Sequence, residues 1–121
     1  MIFKSFYYKL FTILEWIKKI NPILFEILTP LGFTVRTSDK YWQKIIFKHP
    51  DIEDKLEEVK ETIKNPSEIR KSSTDEFIFL FYQKESKYWL VAVVKRLNGD
   101  GFLVTCYRTD KIKEGEKIWP R

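Results

Sequence analysis

At Asn65-Pro66 the hydrophobic pattern of the chain changes period, which calls for helices before this point and strands after it. Upstream, apolar residues recur at three- and four-residue spacing. Tyr41, Trp42, Ile45 and Ile46 make one stripe, and Ile52, Leu56, Val59 and Ile63 make a second. Downstream, Glu68-Ile69-Arg70-Lys71 reads as a short edge strand, and Phe77 to Gln83 is long and aromatic. Tyr88 to Lys95 and Phe102 to Thr109 follow, separated by the turn signal Asn98-Gly99-Asp100-Gly101. Helices first and hairpins afterwards specify an α+β domain: two helices packed on one face of a four-stranded antiparallel sheet.

The two helical stripes meet at Phe47-Lys48-His49-Pro50-Asp51, which holds the chain's only histidine. Ser38 is placed to cap the first helix, from Asp39 to Lys48. Pro50 disfavours helical geometry at His49 and so ends that helix. Asp51, with Asp54 three residues on, has the pattern of a cap for a second helix from Ile52 to about Lys64. His49 is therefore expected at a helix–helix corner.

Residues 1–31 form a separate opening. Phe3, Tyr7, Leu10, Leu14 and Ile17 give a helical stripe, which Lys4, Lys9, Glu15, Lys18 and Lys19 interrupt. The interruptions argue against a transmembrane span, which needs ~20 apolar residues. Glu15, with no small-residue cleavage site after it, argues against a signal peptide. Asn21-Pro22 stops the helix, and the pattern changes again at Gly32-Phe33. The chain thus divides into an amphipathic helical extension, 1–31, and an α+β domain, 32–121. The extension reads as an added core helix or a homodimer helix, with an interfacial membrane helix as the sharper alternative.

The charge balance bears on partners. Twenty-two basic against seventeen acidic residues give +5 and a pI near 9.2, which favours a polyanion such as RNA or an anionic membrane surface. The surplus lies at the two ends of the sequence, while residues 33–66 are neutral. Aromatic residues at 17% serve either core packing or base stacking. One cysteine, Cys106, excludes an intrachain disulfide and a cysteine zinc cluster, and fits a reducing, cytoplasmic setting. Cys106 lies within a strand pattern and reads as a small core residue.

No phosphate-binding glycine loop, dinucleotide fingerprint or nucleophile elbow is present, and no cofactor or metal is expected. What remains is a polar set on the strands. In the last one, Thr105 and Tyr107 share a face, opposite Phe102, Val104 and Cys106. An even loop centred on Gly99-Asp100 brings Arg96 to the face of Thr105 and Tyr107, whereas a bulge or odd loop brings Lys95. Arg70, alternating with Ile69, offers a second cation. Cations, hydroxyls and a histidine suit metal-independent RNA cleavage, because histidine's ordinary pKa of ~6.5 matches the proton work. The plainer reading of His49 is a helix C-terminal residue stabilising the dipole, worth ~0.3–1 kcal/mol. Lys95-Arg96 likewise reads as a solvated hairpin edge.

The order Tyr41-Trp42…Lys48-His49-Pro50, Asn65-Pro66…Ile69-Arg70, Val93-Val94-Lys95 and Phe102-Leu103-Val104-Thr105-Cys106-Tyr107-Arg108-Thr109 resembles nuclease domains of phage and polymorphic toxins. These belong to the barnase–EndoU–colicin–RelE group, the BECR fold, and the likeness runs from about Phe33 to Trp119. It implies two helices on a four-stranded sheet and a metal-independent endoribonuclease. Carried over, it would make His49, Lys95, Thr105 and Tyr107 catalytic and Arg70 a phosphate-binding residue, and it favours Lys95 over Arg96 at the centre; Arg96 stays a candidate for binding substrate phosphate from the strand pattern alone. It also implies a toxin-like or phage-derived effector, with RNA as substrate and an inhibitor or antitoxin protein as partner. The alternative function is a non-catalytic nucleic-acid- or protein-binding module on the same fold. The helical opening departs from the group's pattern.

Overall fold

The computed structural model describes residues 22–112 and 114–121, and the helix expected over residues 3–17 lies outside them. Among the described residues the chain runs β1 (Ile23–Leu28), β2 (Thr34–Ser38), α1 (Asp39–Lys48), a 3₁₀ turn (Pro50–Ile52) and α2 (Leu56–Lys64). It continues through β3 (Glu68–Lys71), β4 (Ile78–Glu85), β5 (Tyr88–Leu97), β6 (Asp100–Thr109) and β7 (Glu116–Trp119). The strands form one sheet in the order β1-β2-β6-β5-β4-β3-β7. The expectation of a four-stranded antiparallel sheet behind an N-terminal helix is corrected: the sheet has seven strands and is mixed, since β2 and β6 run parallel.

The additional strands come from both ends of the domain pattern. Ile23–Leu28 lies between Pro22 and Pro30, too short a run to nucleate a helix, and pairs antiparallel with β2 instead. Gly32, at φ +90, closes the hairpin, and the Thr29 hydroxyl accepts the Leu31 N–H at 3.3 Å. The boundary drawn between residues 31 and 32 therefore falls inside a hairpin. At the other end, Glu116–Trp119 pairs with β3, placing Trp119 opposite Ile69.

Local capping follows the sequence in one helix and departs from it in the other. The Ser38 side chain accepts the Tyr41 N–H at 3.1 Å and starts α1, and His49 ends it, its N–H reaching the Ile45 carbonyl at 2.9 Å. Pro50–Ile52 then tightens into a 3₁₀ turn that buries Ile52, so α2 begins at Leu56 and not at Ile52. Lys55 holds the N-cap position of α2 with no side-chain cap, and Asp51 sits inside the 3₁₀ turn.

Trp42, Ile45, Ile52, Val59 and Ile63 pack against one sheet face, meeting Phe81, Leu90, Ala92 and Val94. The other face carries a smaller cluster of Leu80, Tyr82 and Val91. It is not open, because the link from β6 to β7 crosses it. Ile112 packs on that cluster, Arg70 Nη1 donates to the Gly115 carbonyl at 2.8 Å, and the Tyr82 hydroxyl reaches the Glu114 carbonyl at 3.5 Å.

The parallel contact between β2 and β6 spans two rungs, Val35 with Gly101 and Arg36 with Phe102. A Cβ at residue 101 would lie 2.9 Å from the Phe33 ring and 3.0 Å from Val35 Cγ2. Phe33 is held against Phe79 and Phe81, with centroids 5.4 and 6.4 Å away, and has little room to retreat. Gly101→Ala should therefore cost about 1–3 kcal/mol by overpacking, and Gly101→Val more. Urea unfolding should show a lowered midpoint with an unchanged slope; an unshifted midpoint would mean that β2 and β6 do not approach this closely.

Candidate functional site: a groove along the free edge of β6

Because β2 passes directly into α1 at Ser38, β6 has, among the described residues, no strand neighbour on that side beyond Phe102. α1 lies along the vacated edge, its Tyr41 hydroxyl donating to the Val104 carbonyl at 3.1 Å. Two hollows open on either side of this contact. One, of about 380 Å³, is bordered by Arg36, Lys95, Leu97 and Phe102, and the other, of about 730 Å³, by Lys44, Phe47, Lys48, His49 and Thr105. Tyr41 and Val104 line both, so the two form one groove with the phenol at its waist.

The register of the β5–β6 hairpin settles which side chains face this groove. Asn98 and Gly99, at φ 54 and 85, make a two-residue turn, and Leu97 pairs with Asp100. A bulge then inserts Val104, so Val94 pairs with Leu103 while Val93 pairs with Thr105. Lys95, Thr105 and Tyr107 consequently share the face away from the helices. Arg96 pairs with Gly101 on the helix side, its guanidinium 4.6 Å from the Phe33 ring centroid. Arg96, expected as a phosphate-binding residue, is thus placed apart from the others.

Arg70 is also placed apart. It lies in one row with Leu80, Val93 and Thr105, so two strands separate it from Thr105, roughly 14 Å at the strand spacing. Its guanidinium is engaged by the Gly115 carbonyl and by Glu68 at 3.3 Å. Arg70 anchors the crossing link.

His49 does turn toward the predicted hydroxyls. Its ring centroid is 6.4 Å from that of Tyr107 with the planes inclined by 37°, and it borders the larger hollow with Thr105. Lys95 borders the smaller hollow and pairs with Asp75 at 3.5 Å. The structure therefore brings His49, Thr105 and Tyr107 together, sets Lys95 in the adjoining hollow, and excludes Arg70 and Arg96.

Sequence reasoning passed over Tyr41, Phe47, Phe102, Lys44, Lys48 and Arg36. Tyr41 was counted in the buried stripe of α1, yet it is 40% exposed at the waist of the groove. Phe47 did carry a signal: it lies off the Trp42–Ile45 stripe and is 87% exposed, as no core residue would be. Cys106 is fully buried, and burial pushes its thiol far above the ordinary range, so it offers no thiolate.

Burial likewise raises the Tyr82 phenol far above its ordinary range, with Tyr107 and Glu114 adding to the rise. Tyr107 is raised by burial first and by Glu114 second, partly offset by a hydrogen bond with Tyr82. Both stay protonated at neutral pH, which leaves Tyr107 a donor. Among the described residues no group of three or more His, Cys, Asp or Glu is placed to hold a metal ion, and no helix is long and apolar enough to cross a membrane.

A raised phenol pKa makes the folded chain retain protons that the unfolded chain releases. This contribution to stability is intact below the ordinary phenol pKa of about 10 and is lost as pH rises above it. Resistance to urea should therefore fall as pH rises above about 10, and less so in the Tyr82→Phe/Tyr107→Phe double variant. Equal alkaline losses in the two proteins would refute the burial of these phenols.

No protein-family model, curated protein or solved structure matches this chain.

Proposed function

We propose that the groove binds RNA and cleaves it without a metal ion. The observation that carries this reading is His49 beside Thr105 at the end of a groove whose charged lining residues, among those described, are all cationic, with the Tyr107 ring centroid 6.4 Å from that of His49. In this mechanism His49 takes the proton of a ribose 2′-hydroxyl, and the freed oxygen forms a bond to the adjacent phosphorus. The bond from phosphorus to the 5′-oxygen breaks, and that oxygen leaves with a proton from Tyr107, which solvent restores. Lys95 and the α1 lysines offset the charge that builds on the phosphate, and Thr105 donates to one of its oxygens.

One observation favours a second reading, a module that binds nucleic acid without cutting it. Of the cations implied by the resemblance, Lys95 alone borders the groove, and it is already paired with Asp75. The two readings separate in an RNA degradation assay in EDTA. Cleavage by the wild type should fall by about 10²–10⁴ in His49→Ala, and should also be lost in Lys95→Ala. Activity unchanged by His49→Ala would sink the role given to His49. Salt-sensitive binding that survives this substitution, with no cleavage by the wild type, would establish the binding module.

A further inference from the structure

The two hollows differ from the rest of the surface in their charges. Among the described residues no Asp or Glu lines either hollow, while Arg36 and Lys95 border one and Lys44 and Lys48 the other. Two other surface depressions are ordinary by comparison, with Asp51 and Asp110 in one and Glu114 in the second. Cation-only borders around apolar walls match a ligand whose phosphates are exposed and whose flat apolar groups can turn inward.

The aromatic residues divide in the same way. Phe102, 42% exposed, belongs to the smaller hollow and Phe47, 87% exposed, to the larger, while Tyr41 stands between them. Its hydroxyl is pinned to the Val104 carbonyl, so the phenol is a fixed partition and not a swinging side chain. Each hollow thus has one aromatic ring of its own and shares Tyr41 with the other.

We propose that the groove takes two consecutive unpaired nucleotides of a single RNA strand, one base on each side of Tyr41. One base packs between Tyr41 and Phe102 and the next between Tyr41 and Phe47, with the backbone following the cations along the rim. The phosphate beside the Phe47 hollow is the one that lies at His49 and Thr105. A duplex cannot bind in this way, because its bases are stacked inward and out of reach of the hollows. The inference rests on the reading of this groove as an RNA site, and it adds strand state, register and the residues that hold the bases.

The probe is a labelled 2′-O-methyl RNA hexanucleotide, which lacks the hydroxyl needed for cleavage, measured by fluorescence anisotropy with the full chain. The single strand should bind at least about tenfold more tightly than the same sequence in a duplex. Phe47→Ala and Phe102→Ala should each weaken binding roughly tenfold with no change in salt dependence, since each removes one stacking surface and no charge. The double variant should lose roughly the product of the two effects, because the rings belong to separate hollows. Lys44→Ala should weaken binding and lower the salt slope by about 0.7. Both rings lie outside the buried core, so these variants should keep the fold. Equal affinity for single strand and duplex, or binding untouched by both aromatic variants, would overturn the proposal. Cleavage of unmodified RNA, followed in parallel, separates the two readings. Binding as described without cleavage would end the nuclease reading alone, whereas cleavage with indifferent aromatic variants would end the two-base register alone.

Discussion

β2 accompanies β6 for two rungs and then leaves it, and the groove depends on that departure. Two features fix where it happens. Gly101 lets Phe33 and Val35 approach the β6 backbone more closely than any side chain would permit. Ser38 then caps α1 at once, so the chain bends off the sheet with no intervening loop. A longer β2 would have continued the ladder along β6 and closed the edge. Here the edge is met by helix side chains, and the backbone carbonyl of Val104 takes its hydrogen bond from a phenol. This satisfies one polar group without sealing the space on either side.

The link from β6 to β7 settles the opposite face. By crossing over β5, β4 and β3 it roofs Leu80, Tyr82 and Val91, and so buries apolar surface that seven strands would otherwise leave wet. Arg70 and Tyr82 hold it down through backbone carbonyls. Burial beneath the same roof raises the phenols of Tyr82 and Tyr107 above their ordinary range. His49 meets this face at its β6 margin, beside Tyr107.

What could be read in advance was mostly local. The change of period at Asn65-Pro66, the Ser38 cap, the end of α1 at His49 and the hairpin at Asn98-Gly99 each depend on residues within a few positions of one another. The misreadings were of long-range origin. Ile23–Leu28 is apolar with no firm period, and only its pairing with β2 makes it a strand. Glu116–Trp119 goes unread as a strand, because nothing in its own residues announces β3 as a partner. The face shown by Lys95 was no misreading but a choice left open between two registers, decided by the Val104 bulge, whose position sequence alternation cannot reveal. Arg70 was on the expected face, but its partner at Gly115 is contributed from forty-five residues away.

The ion pairs behind the groove do not cancel its charge. Arg36 meets Asp100 at 3.3 Å and Lys95 meets Asp75 at 3.5 Å, with all four side chains more than a third exposed. Pairs so exposed contribute about 0–1 kcal/mol, little enough for an incoming phosphate to compete. Nor does either pairing exhaust its cation. A guanidinium has five N–H groups and an ammonium three, more than one carboxylate contact uses. The carboxylates therefore act from outside the hollows, holding two long side chains at the rim and reducing the conformational entropy lost when a ligand binds. A groove lined with free lysines would attract a polyanion as strongly. One whose cations are partly positioned beforehand, beside a fixed aromatic partition, can also set where along the strand the phosphates lie.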